Sequence, residues 1–71
     1  MYKKIILTNR EMEIIDLIKD SPTLIELSDR LGISYRTLQW HLSRLYAKFR
    51  VKNKFELILT LIELKPDYLV R

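Results

Sequence analysis

The stretch that decides the fold is residues 34–51, SYRTLQWHLSRLYAKFRV. Its large apolar residues recur at the spacing of one helix face: Leu38, Leu42, Leu45 and Phe49. Ser34 comes just before this face, where a hydroxyl can accept a hydrogen bond from a free backbone N–H of the first turn. The other positions are mainly basic, aromatic or polar. The stretch therefore predicts a helix that is held on one side by a small core and presents its other side to a partner.

Positive charge is concentrated on the same part of the chain. Residues 30–55 contain no Asp or Glu, and their basic residues are Arg30, Arg36, Arg44, Lys48, Arg50, Lys52 and Lys54. Residues 8–29, by contrast, contain six acidic and two basic residues. A scattered set of basic residues would indicate only a solvated surface. This segregation instead favours an anionic partner, and nucleic acid is the commonest such partner.

The composition limits both the fold and the chemistry. The chain has 71 residues, enough for one small domain, with no cysteine, one histidine, one glycine and two prolines. These counts exclude disulfides and argue against a metal site and against a turn-rich β fold. The sequence contains no motif of an enzyme or a cofactor site, and no apolar run near the roughly 18 residues of a membrane span. We therefore expect a cytoplasmic all-α protein with no catalytic residue, cofactor, metal or membrane contact.

A first helix is predicted ahead of the opening stretch. Thr8 and Glu11 have the spacing of a capping box. The helix should run to about Asp20, because the residue before Pro22 disfavours helical angles. Its expected apolar face is Met12, Ile15, Leu17 and Ile18, and Glu11 is expected among the polar residues opposite.

A second helix and a tight turn complete a helix-turn-helix unit. Thr23 and Glu26 form another capping box, and the helix should end near Leu31. Gly32 follows at once, where a left-handed residue commonly ends a helix. The residues expected to point inward are Leu24, Leu27 and Leu31.

The fourth helix is predicted from its own start signal and is unusually apolar. Asn53 and Glu56 begin it, and it should end near Leu64, before Pro66. Within residues 55–64, FELILTLIEL, seven of ten positions are apolar and cover more than one face. A second copy of the chain is the expected cover for the second face. The predicted contact residues are Phe55, Ile58, Leu59 and Ile62. The alternative is that the chain ends cover this face.

The predicted organisation is an arm at residues 1–7, a helix-turn-helix domain at residues 8–64 and a tail at residues 65–71. Within the arm, Ile5, Ile6 and Leu7 are expected to pack on the domain.

The outward face of the third helix carries side chains suited to reading base edges. Ser43 and Ala47 are small, which lets a helix sit deep in a major groove. Gln39 can pair with adenine, and Arg36 or Arg44 can reach guanine. The predicted base-contacting residues are Gln39, Trp40, Ser43, Arg36 and Arg44.

Two residues of this helix leave alternatives open. Trp40 either folds over a neighbouring helix or makes apolar contact with a thymine methyl or the sugar-phosphate edge of DNA. His41 lies near the core edge with no carboxylate, Ser or Cys constellation around it. It is therefore expected to pack or to contact phosphate rather than to catalyse a reaction.

With these residues placed, the sequence resembles the LuxR/GerE-type helix-turn-helix family of bacterial transcription regulators. The resemblance runs from Leu7 to about Leu64 and rests on spaced elements rather than on one motif. These are Leu7-Thr8 with Arg10-Glu11, Glu26-Leu27, Leu31-Gly32-Ile33-Ser34, Thr37-Leu38 and His41, then Leu45, Lys48-Phe49, Val51, Asn53 and Leu57.

The resemblance implies a four-helix DNA-binding domain whose third helix enters the major groove and whose fourth helix makes the dimer contact. Positions matching the family's base-contacting ones are Gln39, Trp40 and Ser43. Positions matching its backbone-contacting ones are Ser34, Thr37, His41, Lys48 and Lys54.

The sequence departs from the family pattern mainly near the first turn. Ser21 stands where the family usually has Gly, Pro22 precedes the second cap, and Ser28 replaces a common Ala. Trp40 and Ser43 are unusual at reading positions, so no operator sequence is carried over. No sensing or receiver domain is expected within these 71 residues, so a free-standing regulator and an excised domain both stay open.

The sequence thus predicts a dimeric, sequence-specific regulator that binds double-stranded DNA through its third helix, residues 34–51, without catalysis. RNA polymerase is a possible further partner. The alternative from another class is a helical protein–protein interaction module that uses the fourth helix and Trp40. A sigma-factor-like helix-turn-helix is a third interpretation.

Overall fold

The computed structural model describes residues 5–64, and these residues form four helices. In chain order they are α1 (Asn9–Ile18), α2 (Leu24–Leu31), α3 (Tyr35–Phe49) and α4 (Lys54–Leu64). The prediction of an all-α helix-turn-helix fold is confirmed. The predicted tail, residues 65–71, and residues 1–4 of the predicted arm lie outside the described residues.

The first helix ends earlier than its sequence predicts. It stops at Ile18 rather than near Asp20, because the chain tightens into a turn in which the Asp20 N–H donates to the carbonyl of Leu17 (3.1 Å). The Ser21 hydroxyl donates to the same carbonyl (3.0 Å), so this side chain occupies part of the exit from the helix. Ser21 is buried there, at the position where the resemblance leads one to expect Gly.

Two predicted capping boxes have different outcomes. At α1 the box is complete: the Glu11 N–H donates to the Thr8 hydroxyl (3.1 Å), and the Thr8 N–H donates to Oε1 of Glu11 (2.9 Å). At α2 only half of the box forms. The Glu26 N–H donates to the Thr23 hydroxyl (3.0 Å), but the Glu26 carboxylate pairs with Arg30 (3.0 Å). The prediction of a second full box is wrong, because Arg30, one turn further on, takes the carboxylate.

Left-handed residues end both α2 and α3. Gly32 has φ 70°, and its N–H donates to the carbonyl of Asp29 (3.1 Å), as predicted for the turn of the helix-turn-helix unit. At the end of α3 the left-handed position is held by Arg50, with φ 58°. The following N–H, from Val51, donates back to the carbonyl of Tyr46 (2.9 Å). A side chain with a Cβ thus stands where Gly has the least strain.

The core is continuous across the four helices, with α1 packed on α2, α2 on α3 and α3 on α4. The predicted inner face of α3 is fully buried, and Leu24, Leu27 and Leu31 point inward from α2. The buried apolar residues are Leu7, Ile14, Ile15, Ile18, Leu27, Leu38, Leu42, Leu45, Phe49, Leu57 and Leu61.

Three residues near the N-terminus differ from their predicted environment. Ile14, omitted from the predicted apolar face of α1, is fully buried. Met12 and Leu17, which belong to that predicted face, are half-buried and do pack against the core. Ile6 is exposed rather than packed on the domain. Glu11, expected on the polar side of α1, is buried with 1 % of its surface exposed. Burial is tolerated because its carboxylate accepts hydrogen bonds from Thr8 and from Lys48.

Candidate nucleic-acid interface

The outward face of α3 is open to solvent along its length. The five predicted base-contacting side chains are all exposed: Arg36, Gln39, Trp40, Ser43 and Arg44. They are held by the four buried residues of the opposite face. Tyr35, which was not among the predicted site residues, is a further exposed aromatic side chain at the start of this helix. The structure thus gathers the predicted reading residues on one surface.

Trp40 lies on its own helix rather than over a neighbouring one. Its side chain is 59 % exposed. The Arg44 guanidinium carbon lies 5.0 Å from the centroid of the indole ring, and the His41 ring meets the indole edge-on at 5.0 Å and 76°. The alternative in which Trp40 packs across another helix is therefore wrong for this structure. The ring is available to a partner, flanked by one guanidinium and one imidazole.

The start of α3 is fixed by two hydroxyl side chains. The Thr37 N–H donates to the Ser34 hydroxyl (3.1 Å), and the Ser34 hydroxyl donates to the Thr37 hydroxyl (3.0 Å). Both side chains are exposed, while His41, one turn further along, is half-buried. The three predicted backbone-contacting residues of this half of α3 thus lie beside the predicted base-contacting side chains.

The two lysines predicted to contact phosphate are tied to the domain. Nζ of Lys48 donates to Oε1 of Glu11 (2.6 Å) and to the carbonyl of Ile6 (2.9 Å), and the side chain is 28 % exposed. Nζ of Lys54 donates to the carbonyl of Ser21 (2.9 Å). The sequence did not predict these hydrogen bonds, because no sequence pattern pairs residues that are so far apart in the chain. Phosphate contact by either lysine stays a prediction. In such a contact the ammonium group would bind a phosphate oxygen and its acceptors in the domain at the same time.

The Glu11 carboxylate is ionised in this arrangement. Burial by itself acts to raise its pKa, but the hydrogen bond and charge of Lys48 and the hydrogen bonds at Thr8 outweigh burial. The pKa of Glu11 is consequently held below its ordinary value of 4.5. A charged pair therefore joins α1 to α3 behind the exposed face.

The predicted dimer contact residues of α4 differ in their exposure to solvent. Leu57 and Leu61 point into the core. On the other side Phe55, Leu59 and Ile62 are 69 %, 49 % and 57 % exposed, at helical spacing. Ile58, the fourth predicted contact residue, is half-buried and packs against the core. Residues 1–4 and 65–71, the alternative cover, lie outside the described part of the chain.

Metal sites and membrane-spanning helices are two further features that residues 5–64 do not contain. No three His, Asp or Glu side chains within that range are grouped so that they could hold a metal ion. None of the four helices is both long and apolar enough to cross a membrane.

Comparison with known proteins agrees with this geometry. The family model described as bacterial regulatory proteins, luxR family, matches residues 5–61. The chain is also 38 % identical over 58 residues to the "Uncharacterized response regulatory protein YgeK" of Escherichia coli (strain K12). That match covers 82 % of this chain but only 40 % of the relative. No solved structure gives a significant match.

Proposed function

The chain belongs to the luxR family of bacterial regulatory proteins, a family of DNA-binding transcription regulators, and from this premise we propose that it binds double-stranded DNA sequence-specifically as a dimer. In this proposal α3 enters the major groove and α4 pairs with α4 of a second copy. The domain performs no catalysis. It acts in the cytoplasm, and RNA polymerase is the machinery that its binding influences.

The observation that carries the proposal is the makeup of the exposed face of α3. Side chains that can hydrogen-bond to base edges, Arg36, Gln39, Ser43 and Arg44, are all exposed on it. No acidic residue occurs between positions 30 and 55, so nothing on this helix repels phosphate. The buried opposite face fixes the rotation of the helix, which a reading surface needs.

Affinity in this proposal comes largely from phosphate neutralisation. The exposed basic residues of the segment that form no ion pair within residues 5–64 are Arg36, Arg44, Arg50 and Lys52. Arg30 is also exposed but is paired with Glu26. Each phosphate that a basic side chain neutralises releases a counterion, so the binding constant should fall steeply as salt rises. Ser34 and Thr37 add neutral contacts that set the register of α3 on the duplex.

Pairing is supported by the exposed apolar face of α4. Phe55, Leu59 and Ile62 present large apolar side chains to water at spacings of four and three residues. A helix face of this kind is suited to a self-complementary contact, in which each copy supplies the same residues. Two α3 helices held in this way would meet major-groove segments about one helical turn apart.

The relative's description as a response regulatory protein supports a regulatory role, and this chain spans 40 % of that relative's length. We therefore propose that the domain serves as the DNA-binding output of a regulatory system.

Selection of bound sequences from a random duplex pool tests the proposal. The enriched duplex should bind at least about a thousandfold more tightly than a scrambled duplex. Gln39→Ala should relax the preference at one base pair, whereas Lys19→Ala, at an exposed basic residue directly after α1, should leave the preference unchanged. No enrichment, or affinity that is flat with salt, would contradict DNA reading and would favour a protein-interaction module.

A further inference from the structure

The exposed face of α3 contains one pair of side chains that are already in contact with each other. The Arg44 guanidinium carbon lies 5.0 Å from the centroid of the Trp40 ring. We propose that this pair is a single reading unit that recognises the C5-methyl group of a thymine together with a guanine on the adjacent base pair. The inference rests on the proposed function, because it concerns what α3 reads in the major groove.

The chemistry of the groove restricts what Trp40 can recognise. Hydrogen-bond donors and acceptors line the base edges, and the thymine C5-methyl is the apolar group that they display in the major groove. The indole ring is 59 % exposed, and its single donor, Nε1–H, offers little polar recognition. Contact with a methyl group would remove apolar surface of both partners from water. The ring is therefore matched to the methyl group.

The position of Arg44 supplies the second half of the unit. Within residues 5–64 its guanidinium has no carboxylate partner, so its N–H groups remain available to a ligand. A guanidinium that stacks on an aromatic face keeps those N–H groups at its rim, where they can bond to O6 and N7 of guanine.

The separation within the pair sets the spacing of the bases. Successive base pairs are about 3.4 Å apart along the duplex. The Trp40 ring and the Arg44 guanidinium lie on the same helix, 5.0 Å apart. They can therefore reach adjacent base pairs but not distant ones. We expect each half-site to contain a T·A pair beside a G·C pair.

Preorganisation explains why the pair would act as a unit rather than as two independent residues. Arg44 has a long, flexible side chain, and the contact of its guanidinium with the Trp40 ring restricts it before DNA arrives. The His41 ring meets the indole edge-on at 5.0 Å and so further limits the rotation of the indole ring. Loss of Trp40 should accordingly weaken both the methyl preference and the preference for guanine.

The test uses a duplex enriched from a random pool by the intact protein. Each thymine is replaced singly by deoxyuridine, which removes only the C5-methyl group. At one position per half-site the replacement should weaken binding about fourfold, the effect of exposing one methyl group to water. The same replacement should change the affinity of Trp40→Ala by less than about 1.5-fold, since no ring remains to cover the methyl.

Two further variants separate this reading from a general loss of binding. Tyr35→Ala removes another exposed aromatic side chain from the same helix and should keep the full fourfold discrimination. Trp40→Leu keeps an apolar group and should retain part of the discrimination even if Trp40→Ala binds too weakly to measure. Arg44→Lys keeps the charge but not the planar guanidinium with its paired N–H donors, and should lose the preference for the neighbouring G·C pair.

Equal affinity of the wild type for every thymine and deoxyuridine version would overturn the inference. So would a loss that is as large in Trp40→Ala as in the wild type. In both cases retention of the enriched duplex leaves the proposed function intact. Failure of the wild type to enrich any duplex overturns the inference and the proposed function together.

Discussion

Nζ of Lys48, near the end of α3, lies 2.6 Å from Oε1 of Glu11, a carboxylate in the first turn of α1 with 1 % of its surface exposed. The same carboxylate oxygen accepts the Thr8 N–H at 2.9 Å and so closes the cap of α1. Lys48 also donates to the carbonyl of Ile6. One ion pair therefore joins the residues before α1, the cap of α1 and α3. This junction ties α3 to the start of α1 in addition to the buried apolar face of α3.

Replacement of Lys48 should destabilise the fold, not merely weaken an exposed contact. Lys48→Met leaves the Glu11 carboxylate buried without its cationic partner, which should lower the free energy of unfolding by about 3 kcal/mol. Urea unfolding followed by circular dichroism measures this change. Lys52→Met, at an exposed position nearby, should change stability by less than about 0.5 kcal/mol. Equal midpoints for the two variants would show that the Glu11–Lys48 pair is not a structural link.

The same pair predicts how stability responds to acid. The pKa of Glu11 is lowered in the folded protein, so its unfolded form binds a proton more readily than its folded form. The contribution of Glu11 is therefore fully present above its ordinary pKa of 4.5 and is lost as pH falls through the lower folded pKa. Unfolding free energies from pH 7 to pH 3 should fall less steeply for Glu11→Gln than for the wild type. Parallel curves would refute this role.

The two left-handed helix ends should respond to substitution in opposite directions. Gly32→Ala should cost about 1 kcal/mol, because a Cβ is strained at φ 70° although nothing lies within 4 Å of it. Arg50→Gly should instead stabilise the fold by about 0.5–1 kcal/mol, since it removes the Cβ at φ 58°. Thermal unfolding of both variants shows whether Gly32→Ala lowers the stability and Arg50→Gly raises it. If Arg50→Gly also weakens binding to an enriched duplex, its side chain contacts DNA.

The exposed face of α4 should control association without controlling the fold. Leu59→Arg is expected to keep the helix content but to remain at the mass of one chain, 8.6 kDa, under conditions in which the wild type associates. Sedimentation equilibrium gives the masses. Ile25→Arg, at an exposed apolar position on α2, is the matched control and should associate as the wild type does. Association that is unchanged in Leu59→Arg would place the contact elsewhere.

Local signals in the sequence were sufficient to predict the four helices. Capping at Thr8 and Ser34 and the left-handed position of Gly32 depend on residues within one turn, so they can be read without knowledge of tertiary packing. The exposure of the predicted base-contacting residues of α3 followed from the spacing of its buried face. The half-formed box at Glu26 shows the limit of local rules, because Arg30 competes for the same carboxylate.

Long-range features could not be predicted from the sequence. Glu11 and Lys48 are 37 positions apart, and their pairing requires knowledge of how α1 and α3 pack together. The same packing buries Ile14, which the helical pattern alone did not assign to the core. Arg50 carries no sign of its left-handed backbone, since Arg is an ordinary helix residue. The contact between Arg44 and Trp40 could not be predicted either. The two residues are one helical turn apart, but the sequence left open whether the Trp40 ring packs against another helix.

In the proposed complex, paired α4 helices hold two α3 helices at a fixed separation on DNA. The most direct measurement compares the affinity of the intact protein for an enriched duplex with its affinity after five base pairs are inserted between the half-sites. This insertion turns the half-sites to opposite faces of the helix, whereas five base pairs added outside them serve as the control. We expect the internal insertion to lower the affinity at least about a hundredfold and the external one to leave it unchanged. Equal affinity for all three duplexes would contradict it.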